Sequence, residues 1–160
     1  MASASLKILM VCLGNICRSP MAHGLLQHKV SNLNLDWEID SAGTSSYHKG
    51  ELPDRRAIAC MHRHGIDINY QRSRPITVAD MRYYDLIFVM DKANLRDVSN
   101  MAGSENELQK ISLIMSLTNK QHPEDVPDPY YDGDNGFETV YKMLDSATDL
   151  LIKKYMTDSV

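Results

Sequence analysis

The chain has 160 residues, with 17 Lys and Arg against 21 Asp and Glu, six His, three Cys and 43% apolar residues. This length and composition predict a single domain over residues 1–160 that buries a real core without metal or disulfide staples. The formal net charge of −4 argues against non-specific binding to nucleic acid. The apolar runs are far shorter than the ~20 residues that a membrane-spanning helix needs, so we expect no membrane span.

The N-terminal residues, Met1 to Leu6, carry no basic stretch and do not resemble a cleavable signal. An odd number of cysteines without a secretory signal is typical of a reducing compartment, where thiols stay free. We therefore expect a cytoplasmic protein whose cysteines serve packing or chemistry.

Short apolar runs alternate along the chain with segments of helical periodicity. In chain order, the pattern predicts a strand at 6–12, a helix from Ser19-Pro20 to residue 33, a strand at 37–41, a helix at 53–64, a helical turn at 79–84, a strand at 85–90, a helix at 92–102, a strand at 110–117 and a helix at 137–155. Alternating strands and helices predict an α/β fold with a parallel sheet and helices on both faces. Residues 121–136, rich in Pro, Asp and Gly, form a long irregular segment, which is usually functional or mobile.

The most informative motif lies where the first strand meets the first helix. Cys12 and Arg18 bracket five residues there, which is the C-x5-R pattern of a phosphate-binding loop. Successive backbone N–H groups of such a loop can form an anion nest, and the helix start adds its positive end. Arg18 supplies a planar fork that binds two phosphoryl oxygens. Gly14 and Asn15 are the residue types that most readily take positive φ, as a tight loop requires.

Cys12 is the predicted nucleophile of this loop. An ordinary thiol with a pKa of ~8.5 is only about 3% ionised at pH 7, so complete ionisation gains only about thirtyfold. Most of the catalysis must therefore come from positioning, and from Arg18 and the loop amides stabilising charge on the equatorial oxygens. The Ser19 hydroxyl has two possible roles: it either donates to the sulfur or caps the helix.

An aryl phosphate also needs a proton on its leaving group. Asp128, directly before Pro129 in the long segment, is a candidate general acid and base. The spacing alone leaves three alternatives in the same segment: Asp125, Asp132 and Asp134.

These motifs together resemble the low molecular weight protein tyrosine phosphatase family over nearly the whole chain. The string from Val11 to Pro20 resembles its phosphate loop, and the string from Asp128 to Tyr131 its Asp-Pro signature. The resemblance implies Cys12 as nucleophile, Arg18 as phosphate binder, Asp128 as acid and base, and a phosphocysteine intermediate without metal or cofactor. It also implies a four-stranded parallel sheet in the order 2-1-3-4, in a flavodoxin-like three-layer sandwich.

The resemblance implies further roles around the loop. Phosphate is expected to contact Leu13, Gly14, Asn15, Ile16, Cys17, Arg18 and Ser19. The shape of the loop is expected to depend on Asn15, Ser19, Ser41 and Asp91. The substrate cleft is expected to be lined by Leu13, Ile16, Tyr47, Tyr130 and Tyr131. Mammalian members place a His in the supporting network where this chain has Tyr70, which leaves the far end of that network open.

The remaining cysteines have separate predicted roles. Cys17 is expected to form a disulfide with oxidised Cys12 and protect it, the alternative being an inert buried thiol. Cys60 is expected to be a core residue. Zinc binding by the three cysteines with His62 or His64 is not expected, because the thiols lack the short paired spacing of structural zinc sites.

The leading functional hypothesis is an enzyme that acts on phosphotyrosine-containing proteins and small aryl phosphates and releases inorganic phosphate. An arsenate reductase on the same scaffold is one alternative, although such enzymes relay a disulfide through further cysteines and residues 81–91 contain none. A non-catalytic phosphotyrosine-binding module is a second alternative, and a carbohydrate-transport phosphocarrier a third. We expect a monomer, or a chain that associates weakly with itself.

Overall fold

A computed structural model of the chain describes residues 5–157. Four parallel strands form one sheet in the order β2-β1-β3-β4. Their bounds are β1 Leu6–Cys12, β2 Trp37–Gly43, β3 Leu86–Val89 and β4 Ile111–Leu113. The expected strand order, 2-1-3-4, is confirmed.

The helices are α1 Arg18–Asn32, α2 Arg55–Arg63, α3 Val78–Tyr83, α4 Lys92–Ser99, α5 Glu105–Gln109 and α6 Asp134–Thr157. Two 3₁₀ helices add Ile114–Leu117 and Pro129–Tyr131. None of the helices in residues 5–157 combines the length and apolar character needed to cross a membrane.

The two faces of β1 show why the sheet has helices on both sides. Ile8 and Met10 belong to the hydrophobic cluster that packs against α1, α2 and α6. Leu9 and Val11 belong to a second cluster, shared with residues of α3 and α4. All four residues are fully buried. The continuous apolar run is therefore a strand buried on both faces, as the sequence predicts.

The predicted strand at 110–117 is wrong in its second half. The strand ends at Leu113, and residues 114–117 form a 3₁₀ helix that packs on α6. The Ser116 hydroxyl donates to the Leu113 carbonyl at 2.6 Å, which stabilises the turn. A short apolar run does not distinguish a strand from a buried helical turn, because both bury every residue.

Several boundaries also differ from the prediction: β2 continues to Gly43 instead of ending at residue 41, and α2 spans Arg55–Arg63 instead of 53–64. The segment after β3 is divided, with α4 ending at Ser99 and a separate α5 capped by Ser104, whose hydroxyl accepts from the Glu107 amide. α6 begins at Asp134, three residues earlier than predicted. α1 begins at Arg18 with Cys17 at its N-cap, and no side chain caps it. Ser19 is therefore not the cap of α1.

The helix α1 carries one buried histidine into the protein. His23 is 5% exposed, and its Nδ1 lies 3.3 Å from the Ser41 hydroxyl on β2. Burial lowers the pKa of His23 to about 4, against an ordinary value of 6.5. His23 is therefore neutral at pH 7 in the folded protein, because the charged form loses its hydration there.

This burial predicts a stability that falls with acid. Because the folded pKa lies below the unfolded one, the unfolded state binds more protons, and stability is lost as pH falls from about 6.5 towards 4. The loss attributable to His23 is on the order of 3 kcal/mol. We expect His23→Gln to flatten this part of the curve in urea unfolding at pH 7, 5.5 and 4.5. The exposed His28 provides the control, since His28→Gln should leave the slope unchanged. Equal slopes in wild type and His23→Gln would contradict the assignment.

Candidate active site

The carboxyl ends of β1, β2 and β3 meet at one edge of the sheet, where ligands of parallel sheets bind. β1 ends at Cys12 opposite Gly43, the last residue of β2. The loop after Cys12 turns directly into α1, whose first residue is Arg18. The motif that the sequence singled out therefore lies at this edge.

The Cys12 sulfur lies at the bottom of the loop. The Asn15 backbone N–H donates to it at 3.3 Å, and the Ser19 hydroxyl lies 3.0 Å away. Cys12 is 2% exposed but lines the pocket above the loop. The sulfur is therefore in hydrogen-bond contact with a backbone amide and a hydroxyl, which hold it at the bottom of the pocket. Of the two roles left open for Ser19, the geometry favours the contact with sulfur.

Asn15 holds the loop in shape. Its φ of 56° is left-handed, a conformation that asparagine tolerates better than most residues. Its side-chain amide donates to Ser19 at 2.7 Å and to Ser41 at 3.0 Å, and its side-chain oxygen accepts from the Arg74 backbone N–H at 3.0 Å. Asn15 is thereby bonded to α1, to β2 and to the chain before α3.

His23, and not Tyr70, is the far end of this network, because the His23 ring contacts the Ser41 hydroxyl. Tyr70 is 54% exposed and meets the His23 ring edge-on, with the ring centroids 5.7 Å apart. The sequence signal for His23 was weak, because a histidine within a helix is usually structural. Its inward position on α1, beside buried Ala22, is the feature that identifies it.

Gly43, beside the loop, is needed for space, and Gly14, within the loop, has little room for a side chain; neither takes positive φ. A Cβ at Gly43 would lie 2.8 Å from the Leu13 carbonyl oxygen, and a Cβ at Gly14 would lie 3.1 Å from the His48 ring. The expectation that Gly14 takes positive φ is wrong, since Asn15 alone does so in the loop. The loop is thus packed tightly against the segment that follows β2.

Arg18 links the loop to two other parts of the chain. Its Nη1 donates to Asp91 at 2.6 Å and to the Val126 carbonyl at 3.0 Å, and the residue is 3% exposed. Burial opposes the charge of Arg18, but Cys12, Asp91 and Asp128 together raise its pKa above the ordinary value. Asp91 is held in turn as the N-cap of α4, where it accepts from the Asn94 amide at 2.8 Å.

Asp128 is the aspartate of the long segment that lines the pocket. One carboxylate oxygen accepts from the Tyr130 amide at 3.1 Å, and the other lies 3.8 Å from Arg18 Nη2. Its side chain is 44% exposed, so both solvent and a bound ester can reach it. Asp125 instead pairs with Lys92 at 3.2 Å, while Asp132 and Asp134 are not part of the pocket lining. The structure thus separates Asp128 from its three alternatives.

The pocket above the sulfur has a volume of about 510 Å³. Its walls are the five predicted cleft residues, of which Tyr47 is 85% and Tyr131 89% exposed. Two further residues in the wall, Ser45 and His48, were missed, because they lie in a segment without a motif. His48 is held by Glu51, with His48 Nδ1 2.8 Å from Glu51 Oε2.

Cys17 is a buried free thiol at the pocket. Burial, reinforced by the charges of Asp54 and Cys12, raises its pKa well above the ordinary range. Cys17 is therefore protonated at neutral pH and is not a second nucleophile. Its disulfide with Cys12 remains a prediction.

Comparison with known proteins agrees with this geometry. The family model described as "Low molecular weight phosphotyrosine protein phosphatase" matches residues 7–159. The human protein of that description is 40% identical over 144 residues, which cover 87% of this chain and 89% of the human one. The crystal structure of a protein tyrosine phosphatase from Entamoeba histolytica has a TM-score of 0.89 at 36% identity, covering 97% of this chain and 99% of that one. An arginine phosphatase of Drosophila has a TM-score of 0.89 at 34% identity, covering 96% and 99%.

The residues that carry the chemistry of the loop, Cys12 and Arg18, lie within the matched region. This chain is therefore an enzyme of the low molecular weight phosphotyrosine protein phosphatase family.

Proposed function

We propose that the chain hydrolyses phosphotyrosine in proteins, and small aryl phosphates, through a phosphocysteine on Cys12, with Asp128 as general acid and base. The observation that carries the proposal is the convergence of three groups on one pocket. The Cys12 sulfur lies at its base, the Arg18 guanidinium beside it and the Asp128 carboxylate above Arg18. A phosphoryl group bound there meets a nucleophile, a positive charge and a proton donor at once.

In the first step, the Cys12 thiolate attacks phosphorus. The S–P bond forms as the bond from phosphorus to the aryl oxygen breaks, and protonated Asp128 gives its proton to that oxygen. Arg18 and the loop amides bind the equatorial oxygens, where charge builds up. Because Arg18 Nη1 is already bonded to Asp91 and Val126, the rest of its fork is left for phosphate.

In the second step, water attacks phosphorus and the S–P bond breaks, which releases inorganic phosphate and returns the thiolate. Asp128, now ionised, takes the proton of the water, as microscopic reversibility requires. The sulfur leaves more easily if its developing charge is stabilised. Ser19, 3.0 Å from the sulfur, is the group positioned to donate a hydrogen bond to it.

The pocket walls support an aryl ester as substrate. Leu13 and Ile16 provide apolar contact, and Tyr47, Tyr130 and Tyr131 provide aromatic contact. A phenyl ring gains from burial against such walls, whereas the polar guanidine of phosphoarginine loses hydration there. We therefore propose phosphotyrosine over phosphoarginine, although an arginine phosphatase is among the similar structures.

Three alternatives are less well supported. An arsenate reductase would need further thiols beside Cys12 and Cys17, but Cys60 does not line the pocket and instead bonds Glu138 on α6. A non-catalytic binding module would need no proton donor, and Asp128 would then have no purpose above Arg18. The phosphocarrier alternative leaves Asp128 unexplained in the same way.

The proposal also includes the compartment, the domain organisation and the oligomeric state of the enzyme. The odd number of cysteines supports a reducing, cytoplasmic compartment. The position of Cys12 and Cys17 at one pocket supports a protective disulfide between them under oxidation. Both hydrophobic clusters share one sheet, which supports a single domain over residues 1–160. We propose a monomer, or weak self-association, with no nucleic-acid partner and no cofactor for this chemistry.

The first prediction tests the nucleophile. In the presence of a chelator, wild type should hydrolyse p-nitrophenyl phosphate and a phosphotyrosine peptide, and Cys12→Ser should reduce both rates by at least about 10⁴-fold. Cys60→Ser is the matched control and should retain activity, because Cys60 is outside the pocket. An active Cys12→Ser variant would refute the mechanism. Faster turnover of a phosphoarginine peptide than of a phosphotyrosine peptide would reverse the substrate assignment.

A second prediction tests the acid. Asp128→Asn should slow phenyl phosphate, whose leaving group is poor, by about 10²–10⁴-fold, and p-nitrophenyl phosphate much less. The reason is that an activated leaving group departs without a proton. Asp125→Asn, which removes only the contact with Lys92, is the control. Equal slowing of the two substrates by Asp128→Asn would locate the acid elsewhere.

A third prediction separates the two roles considered for Ser19. Ser19→Ala should slow breakdown of the phosphoenzyme, observed as a larger burst in rapid-quench kinetics, because the leaving sulfur loses its partner. Ser104→Ala should have the opposite effect, because Ser104 caps α5. It should lower the stability by about 1 kcal/mol and leave the activity unchanged. If Ser19→Ala lowered stability without changing turnover, the sulfur contact would have no catalytic role.

A further inference from the structure

A group of potential metal ligands lies outside the catalytic pocket, between α2 and α6. Cys60 is on α2, His64 follows at the C-cap of that helix, and Glu138 is on α6. The Cys60 sulfur, a His64 ring nitrogen and a Glu138 carboxylate oxygen all lie within 4.8 Å of one another. A thiol, an imidazole and a carboxylate are the three protein ligand types that zinc uses.

The distances in this cluster are near those of a metal site. Cys60 Sγ lies 3.4 Å from Glu138 Oε1, and His64 Nε2 lies 2.9 Å from Glu138 Oε2. Tetrahedral zinc bonds of about 2.0–2.3 Å place neighbouring ligand atoms roughly 3.4–3.6 Å apart. Both contacts of Glu138 are thus close to the spacing of a coordination shell, and all three ligand atoms lie within 4.8 Å of one another.

The surroundings are suited to holding these ligands in place. The His64 ring stacks on Tyr141, with the ring centroids 3.7 Å apart and the planes 7° from parallel, which fixes the direction of its nitrogen. Cys60 is fully buried, while His64 and Glu138 are each about one-third exposed in their side chains. A cation thus has an entry path from solvent, and a water molecule has room to be a fourth ligand.

One neighbour opposes a cation. Arg63 donates to Glu138 Oε1 from Nε at 3.2 Å and from Nη2 at 2.9 Å. Its side chain is 47% exposed, so it can turn into solvent at small cost when a metal takes its place. In the metal-free protein, Arg63 is therefore the group that balances the Glu138 charge.

We propose that Cys60, His64 and Glu138 form a zinc-binding site that joins α2 to α6. Zinc replaces the proton of the Cys60 thiol, which passes to solvent, and binds a nitrogen of neutral His64 and an oxygen of ionised Glu138. The site differs from the zinc constellation considered from the sequence, which needed Cys12 and Cys17 as well. It shares no residue with the pocket lining, so it stands apart from the proposed chemistry.

The test uses the Cys12→Ser protein, so that the catalytic sulfur does not compete for metal. Isothermal titration with Zn²⁺ should show one ion per chain, and thermal unfolding should shift upward with zinc. Adding Cys60→Ser should weaken binding by more than about 100-fold, since loss of even an outer-shell partner costs 10- to 100-fold. Co²⁺ should give a thiolate charge-transfer band in Cys12→Ser and none in Cys12→Ser/Cys60→Ser.

Two more variants, each in the Cys12→Ser protein, distinguish a metal site from a hydrogen-bonded cluster. Arg63→Ala should tighten zinc binding several-fold, because it removes the competing cation. If the three residues form only a hydrogen-bonded cluster, the same substitution should lower the stability of the protein and leave zinc unbound. His64→Gln should lose binding, while His62→Gln, at an exposed position on the same helix, should not. Circular dichroism checks that each variant is folded. Because the His64 side chain is partly exposed, His64→Gln keeps the test valid even if Cys60→Ser does not fold. Absence of zinc binding to Cys12→Ser, or equal binding to its Cys60→Ser and His64→Gln derivatives, would overturn the proposal.

Discussion

The buried contact between Arg18 and Asp91 is the constraint on which the rest of the site depends. Arg18 begins α1 and Asp91 follows β3, so their 2.6 Å hydrogen bond joins residues 73 positions apart. A charge buried to 3% exposure is tolerated only if it is paired and hydrogen-bonded, and Arg18 meets this condition through Asp91 and the Val126 carbonyl. The guanidinium is thereby oriented before any substrate arrives, so binding a phosphoryl group requires little reorganisation.

The loop itself is held by contacts from outside its own sequence. A left-handed asparagine is a sparsely populated conformation, and it persists where neighbouring structure enforces it. Here Asn15 is bonded to Ser41 on β2 and to the Arg74 amide, while Ser73 donates to the Gly14 carbonyl at 3.0 Å. The anion nest is therefore built by three separate segments, and its precision derives from the sheet edge beneath it.

Much of this arrangement was predictable, because the decisive signals are local. The alternation of elements predicted the parallel sheet, the family resemblance implied its strand order, and C-x5-R located the anion site at the start of α1. The Asp-Pro pair made Asp128 a candidate acid, and only the pocket distinguished its position from those of Asp125, Asp132 and Asp134. Where an apolar run was short, as at residues 114–117, periodicity did not distinguish strand from 3₁₀ helix.

The features that sequence reasoning missed depend on contacts between distant residues. His23 pairs with Ser41 eighteen positions away, and Val126 with Arg18 across 108 positions. Cys60 and Glu138 are 78 positions apart, so no spacing rule brings them together. Ser19 shows a different limit. Its position beside Pro20 is typical of a helix cap, yet its hydroxyl is in hydrogen-bond contact with the Cys12 sulfur. Local preference is overridden there by the anion site.

The two hydrogen bonds of the Val126 backbone limit how far Asp128, the proposed proton donor, can move. The Val126 amide donates to the Met90 carbonyl at 2.8 Å while its own carbonyl holds Arg18, so this residue is pinned to the sheet edge. Asp128 follows two residues later and is flanked by Pro127 and Pro129, whose rings fix φ and stiffen the chain. A two-residue stem reaches at most about 7 Å, so the carboxylate sweeps a narrow arc. The position at which the Asp128 carboxyl group can meet an ester oxygen is accordingly set by the sheet edge, through the two hydrogen bonds of Val126.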